Sequence, residues 1–140
     1  MNWLRRRPPT QKKYLPTEPV TYPVGICVKT EKSHYYLHPS DGKRYRIPTE
    51  RILQSWNYPL IVETSEAALK NYPVAVTKIG FRTGSLLNNI ADGKLYLVSG
   101  AVLRHIVSPD ALVRLGLERS DALTVSDDEI NLMKQGDIIR

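Results

Sequence analysis

Residues 92–117, DGKLYLVSGAVLRHIVSPDALVRLGL, decide how the rest of the chain is read. Asp92 and Gly93 make a turn pair, because glycine takes positive φ without a Cβ clash and Asp can bond its own backbone. Residues 94–98, KLYLV, are rich in strand formers, and Ser99 and Gly100 supply the next turn. Residues 102–107, VLRHIV, follow as a second strand, close enough for antiparallel pairing to be the simplest closure. Ser108, Pro109 and Asp110 then start a helix: an N-cap hydroxyl, a proline at the first helical position and an acid in the first turn. Ala111, Leu112 and Leu115 share one apolar face, and Gly116 ends the helix in a left-handed conformation.

An earlier stretch, residues 34–58, repeats this order. Tyr36 and Leu37 stand for Tyr96 and Leu97, Arg46 and Ile47 for His105 and Ile106, Thr49 for Ser108, Leu53 for Leu112 and Trp56 for Leu115. Asp41 and Gly42 serve as the hairpin turn, and Ser65, Glu66 and Leu69 stand for Ser126, Asp127 and Ile130. The offset drifts by one residue either way around 60, as small loop insertions give. A period of that length predicts two small tandem units and not a solenoid.

The expected fold class is therefore α+β: two tandem modules, each an antiparallel hairpin or three-strand sheet followed by two short helices, behind an extended N-terminal arm. Residues 1–23 are the arm, 24–79 the first module and 80–140 the second. In the first module, strands are expected at 24–30, 33–37 and 43–48, and helices at 49–56 and 65–72, with an extended piece at 60–62. In the second, a first strand is expected at 85–90, an extended piece at 122–125, and a helix from Ser126 that Gly136 ends, with Lys134 near its C-terminus. Each module alone would bury little; packed together they would share a core.

The arm differs in composition from the rest. It carries Pro8, Pro9, Pro16, Pro19 and Pro23, a spacing that excludes a regular helix or a central strand. Arg5, Arg6, Arg7, Lys12 and Lys13 against Glu18 leave +4 of the chain's +6 there. The expectation is an extended, polyproline-like segment, disordered when free and laid along a neighbouring subunit in an assembly. Trp3, Leu4 and Tyr14 would be its anchors and the arginines its basic contacts. Arg44, Arg46, Trp56, Tyr58 and Arg104 are the candidate contact residues of the module surfaces.

No residue is assigned a catalytic role. There is no phosphate-cradling glycine motif and no CxxC, so no cofactor and no metal is expected. His34 and His38 read as half-exposed sheet residues and not as a metal pair. Cys27 is alone, which excludes an internal disulfide, and reads as a half-buried apolar residue in a strand. Asp127, Asp128 and Glu129 are explained by their place at a helix start. No apolar run reaches membrane-spanning length, and residues 1–4 are not followed by the hydrophobic region of a signal peptide.

The string from Asp92, with LTVSDDEINLMKQGDII after it, resembles a small repeat of bacteriophage tail and virion structural proteins, found also in bacterial surface proteins. The resemblance rests on Asp92, Gly93, Tyr96, Leu97, Val98, Gly100, Arg104, Ile106, Leu115, Gly116, Val125, Ser126 and Glu129. It covers about the last 60 residues well and residues 23–76 weakly, with Asn57 in place of the glycine after the helix. It implies a non-enzymatic structural protein of a virion, at the tail or head–tail region, assembled in the host cytoplasm. Its partners would be other virion proteins and further copies of itself. Two alternatives come from other classes. One is a nucleic-acid-binding accessory protein, suggested by a pI near 9.5 and by the run Lys43, Arg44, Tyr45, Arg46. There, Arg44 and Arg46 share one strand face, read as solvated. The other is a host-surface or cell-wall binding module.

Overall fold

The structure is a computed structural model, and it describes residues 14–140. It is α+β, with two mixed sheets and three short helices. The first sheet is built from β1 (Cys27–Lys29), β2 (His34–Leu37), β3 (Arg44–Ile47) and β4 (Ile61–Glu63), in the order β3-β2-β1-β4. The second is built from β5 (Leu86–Asn89), β6 (Leu95–Ser99), β7 (Val102–Ile106), β8 (Leu123–Val125) and β9 (Lys134–Gln135), in the order β8-β5-β6-β7-β9. Both have the same core plan. An antiparallel meander (β1-β2-β3, β5-β6-β7) gains a parallel strand beside its first member, β4 on β1 and β8 on β5.

The registers match as well. Cys27 faces Tyr36 and Tyr36 faces Tyr45; Leu87 faces Tyr96 and Tyr96 faces His105. Every ladder position in the second meander therefore lies 60 residues after its counterpart, whereas the added parallel strand is offset by 62, Leu123 standing for Ile61. The helix caps do not keep that spacing. Thr49 caps α1 (Glu50–Trp56) and Ser108 caps α2 (Pro109–Arg114), a separation of 59. The first unit thus has one extra residue between the meander and its helix.

That residue has a large effect, since successive strand side chains point to opposite faces. Ile47 lies in the largest core cluster, where Cys27, Leu87, Tyr96, Val98, Leu103 and Val125 of both sheets meet. Ile106 lies on the other side of its sheet, with Leu86, Leu95 and Ala111. The expected equivalence of Ile47 and Ile106 is thus corrected: they belong to opposite faces. Their helices follow them. α1 buries Ile52 and Leu53 in the cluster shared by the sheets, whereas α2 buries Ala111 on the outer face of the second sheet. The last helix, α3 (Asp127–Ile130), puts Ile130 into the shared cluster, and residues 66–72 cover the outer face of the first sheet with Leu69 and Tyr72. So α1 and α3 lie in the shared layer, and Thr49 Oγ1 donates to Glu129 Oε2 at 2.7 Å between them.

The helix signals act as their chemistry requires. Thr49, Ser108 and Ser126 each accept a backbone N–H with the side-chain oxygen, and Ser126 and Glu129 form a reciprocal capping box. After α2, Leu117 N donates to Leu112 O and Gly116 N to Val113 O, which is a Schellman closure with Gly116 at φ +73. Asn57 takes the same left-handed role after α1 at φ 50.

Two expected helices differ. Residues 65–72 form a chain of turns, with Leu69 N on Glu66 O, Lys70 N on Ala67 O and Tyr72 N on Leu69 O. The Ala68 carbonyl, which would receive Tyr72 N in an α-helix, accepts from Val20 N at 3.0 Å instead. The C-terminal helix stops at Ile130 and does not run to Gly136. Lys134–Gln135 pairs in parallel with Val102 and Leu103, and Gly136 N donates to Leu103 O at 2.7 Å. The open edge of β7 captures this segment, and a bridge from Ile106 to Ile139 extends the contact. Residues 74–79 do the same along β3, through the Arg44–Val74 bridge and Ile79 N on Arg46 O.

Candidate interaction surfaces

The arm divides at Tyr14. Trp3, Leu4, Arg5, Arg6 and Arg7 lie outside the described residues. Residues 14–23 carry no regular secondary structure, as their prolines dictate. The expectation that they stay disordered until laid along a neighbouring subunit is corrected for this part of the arm: residues 16–22 lie along the chain's own first unit. Ser65 Oγ donates to Pro16 O, Val20 N donates to Ala68 O, and the Tyr22 and Thr64 hydroxyls bond at 2.7 Å. The Tyr72 hydroxyl accepts from Tyr22 N at 2.6 Å and donates to Tyr22 O at 3.0 Å. Tyr14, just before this anchored run, is 97% exposed.

Arg44 and Arg46 were expected on one solvated face. Arg46 is exposed, but Arg44 is turned inward, its side chain 12% exposed. Its Nη1 meets Glu66 Oε1 at 3.0 Å, and its guanidinium lies over the Tyr35 ring at 4.9 Å. Glu66 Oε2 accepts from Thr30 Oγ1 at 2.6 Å. Burial raises the Glu66 carboxyl, but the Thr30 hydroxyl, the Arg44 charge and Tyr35 outweigh it and leave it below its ordinary value. This cluster ties β1, β2, β3 and the turns at 66 into one body. It withdraws Arg44 from any phosphate. Arg104, at the matching ladder place, donates Nε to Asp137 O at 2.9 Å.

Trp56 and Tyr58 are half-buried against the shared cluster. The Trp56 indole N–H donates to Gly80 O at 2.8 Å. Trp56 stacks on Tyr58, Tyr58 on Tyr36, and Tyr36 meets His38, which meets Tyr45, with ring centroids 5.0–6.1 Å apart. Sequence reasoning named the first two and missed the ladder, because its rings come from three separated segments. The Tyr58 hydroxyl is buried without a hydrogen-bond partner, and burial pushes its pKa up.

Cys27 is wholly buried, not half-buried, and burial raises its thiol to about 12. Ser40 N donates to His38 Nδ1, and His34 lies opposite Ile47. Among the described residues no group of three His, Cys, Asp or Glu is placed to hold a metal ion. Nor is any helix among them long and apolar enough to cross a membrane.

One open cavity lies on the second unit and another between the two units. One, of about 270 Å³, sits where the Asp92 turn meets the start of α2, and its charge is mixed, with Asp92 beside Lys94 and Arg119. The other, of about 550 Å³, follows the seam between the units; Trp56, Phe81, Leu132 and Met133 line it, with Lys78 and Lys134 at its rim. No family of known proteins, no curated protein and no solved structure matches the chain.

Proposed function

We propose that the chain is a non-enzymatic structural and interaction protein, a minor component of a bacteriophage virion at the tail or head–tail region. It assembles through its N-terminal arm and tandem units, with other virion proteins and further copies of itself as partners. The virion part of this reading rests on the resemblance of residues 92–129. The observation that carries the assembly part is the base of the arm. Residues 16–22 are pinned to the first unit, and Tyr14 is held out with 97% of its surface exposed. The basic segment before it is thereby tethered to a fixed point. A tether of this kind raises the effective concentration of the segment at a neighbour's surface without any further contact. Ordering the segment on docking costs conformational entropy, which apolar anchors such as Trp3 and Leu4 would offset.

Sedimentation velocity of the full chain beside a chain beginning at Tyr14 tests this, at low and high salt, with and without duplex DNA. The shorter chain keeps every arm contact described above, so its fold is preserved. The expected result is a defined oligomer for the full chain and a monomer for the shorter one. Two monomers sink the assembly reading. If, in addition, only the full chain shifts with DNA at low salt, the nucleic-acid reading replaces it.

A further inference from the structure

We infer that the seam groove is a docking site for an acidic, apolar peptide segment of a partner protein. The inference does not need the virion reading; it needs only that this chain binds a protein.

The groove's volume, about 550 Å³, falls in the range of built binding sites. Its walls come from three separate stretches: residues 77–83 between the sheets, the Gly100 turn between β6 and β7, and residues 132–134 after α3. The floor is fixed. Trp56 is locked by its indole bond to Gly80 O, and Phe81 is buried. Gly80 lies beside the Met133 wall, where a Cβ would make ordinary van der Waals contact with Met133 Sδ at 3.4 Å. One wall is adaptable. Leu132 is half exposed and Met133 is an unbranched thioether that refits to different occupants. A rigid aromatic floor with a pliable aliphatic wall suits an extended segment that inserts one or two apolar side chains.

Charge selects among occupants. Lys78 and Lys134 are both exposed at the rim, and no Asp or Glu lines the groove. The chain's own arm is excluded as occupant, because Arg5, Arg6, Arg7, Lys12 and Lys13 would meet like charge. A segment with Asp or Glu flanking an apolar anchor satisfies both features.

The test pans a random 12-residue bead-displayed peptide library against the full chain and against its K78E/K134E variant. Both lysines are exposed, so the variant keeps the fold. The wild-type chain is expected to retain peptides in which Asp or Glu flanks Leu, Ile, Phe or Met, and the variant to lose them. A retained peptide should alter the emission of Trp56, the single tryptophan of a Trp3→Phe chain, and bind K78E/K134E about tenfold or more weaker. Retention of basic or purely apolar peptides, equal retention by the variant, or unchanged Trp56 emission overturns the inference. Displacement of the peptide by equimolar dodecanoate assigns the groove to a lipid and overturns it too. The outcome is separable from the oligomer test, because the chain beginning at Tyr14 retains the whole groove.

Discussion

Burial alone would raise the Glu66 carboxyl, yet the Thr30 hydroxyl, the Arg44 guanidinium and Tyr35 hold it below the ordinary value. The folded value is the lower one, so its contribution to stability is complete above the ordinary value of 4.5 and is lost as pH falls through the folded value. Glu66→Gln is expected to lower stability by about 1–2 kcal/mol at pH 7, with the gap to the parent chain closing in acid. Urea denaturation between pH 7 and pH 3 measures it; a gap that stays constant with pH assigns the loss to shape and not to charge. Little of this cluster was legible beforehand. Strand alternation correctly put Arg44 and Arg46 on one face, but the partner that turns Arg44 inward lies 22 residues away. Local patterns do not carry such a pairing. Asn57 was legible, because a left-handed residue after a short helix must be glycine or a residue that tolerates its place.

The elements that were read correctly are those whose signals are local and complete. Thr49, Ser108 and Ser126 cap helices, and Gly42, Gly93 and Gly100 sit at positive φ in turns. The failures are at Ala68 and Gly136, where a remote backbone competes for the same groups. Gly136 looked like a helix stop. Its role is to let β9 lie against β7, since a Cβ there would fall 2.8 Å from Val102 Cγ2. Gly136→Ala is expected to cost about 1–3 kcal/mol through this overlap. Val102→Ala removes the colliding methyl, so the double variant should recover part of the loss. A double-mutant cycle from thermal or urea unfolding reads the coupling, and strict additivity would show that the close approach is not the cause.

At the scale of the whole chain, the two units share one core. Cys27 of the first sheet and Leu87 of the second lie in the same cluster, both fully buried. With its thiol raised to about 12 and no exposed surface, Cys27 reacts with a disulfide reagent only when that cluster opens. Leu87→Ala, in the other unit, should cost about 2–5 kcal/mol and speed Cys27 labelling by roughly 30-fold or more. An unchanged rate would mean that the units open separately. The duplication and its period were legible, but not which face each helix covers. The drift from 60 to 59 was visible in the sequence and read as loop length; with strand side chains alternating, one residue sends α1 inward and leaves α2 outside. Tandem copies carry a hazard, since either half can pair with its twin on another chain during synthesis. Here the two halves are no longer interchangeable. A first unit meeting another first unit would bring two α1 helices to the place that α1 shares with α3, and neither would find the Glu129 carboxylate that Thr49 meets. The two halves thus differ in which helix faces the other unit, and a mismatched pair forgoes the Thr49–Glu129 contact.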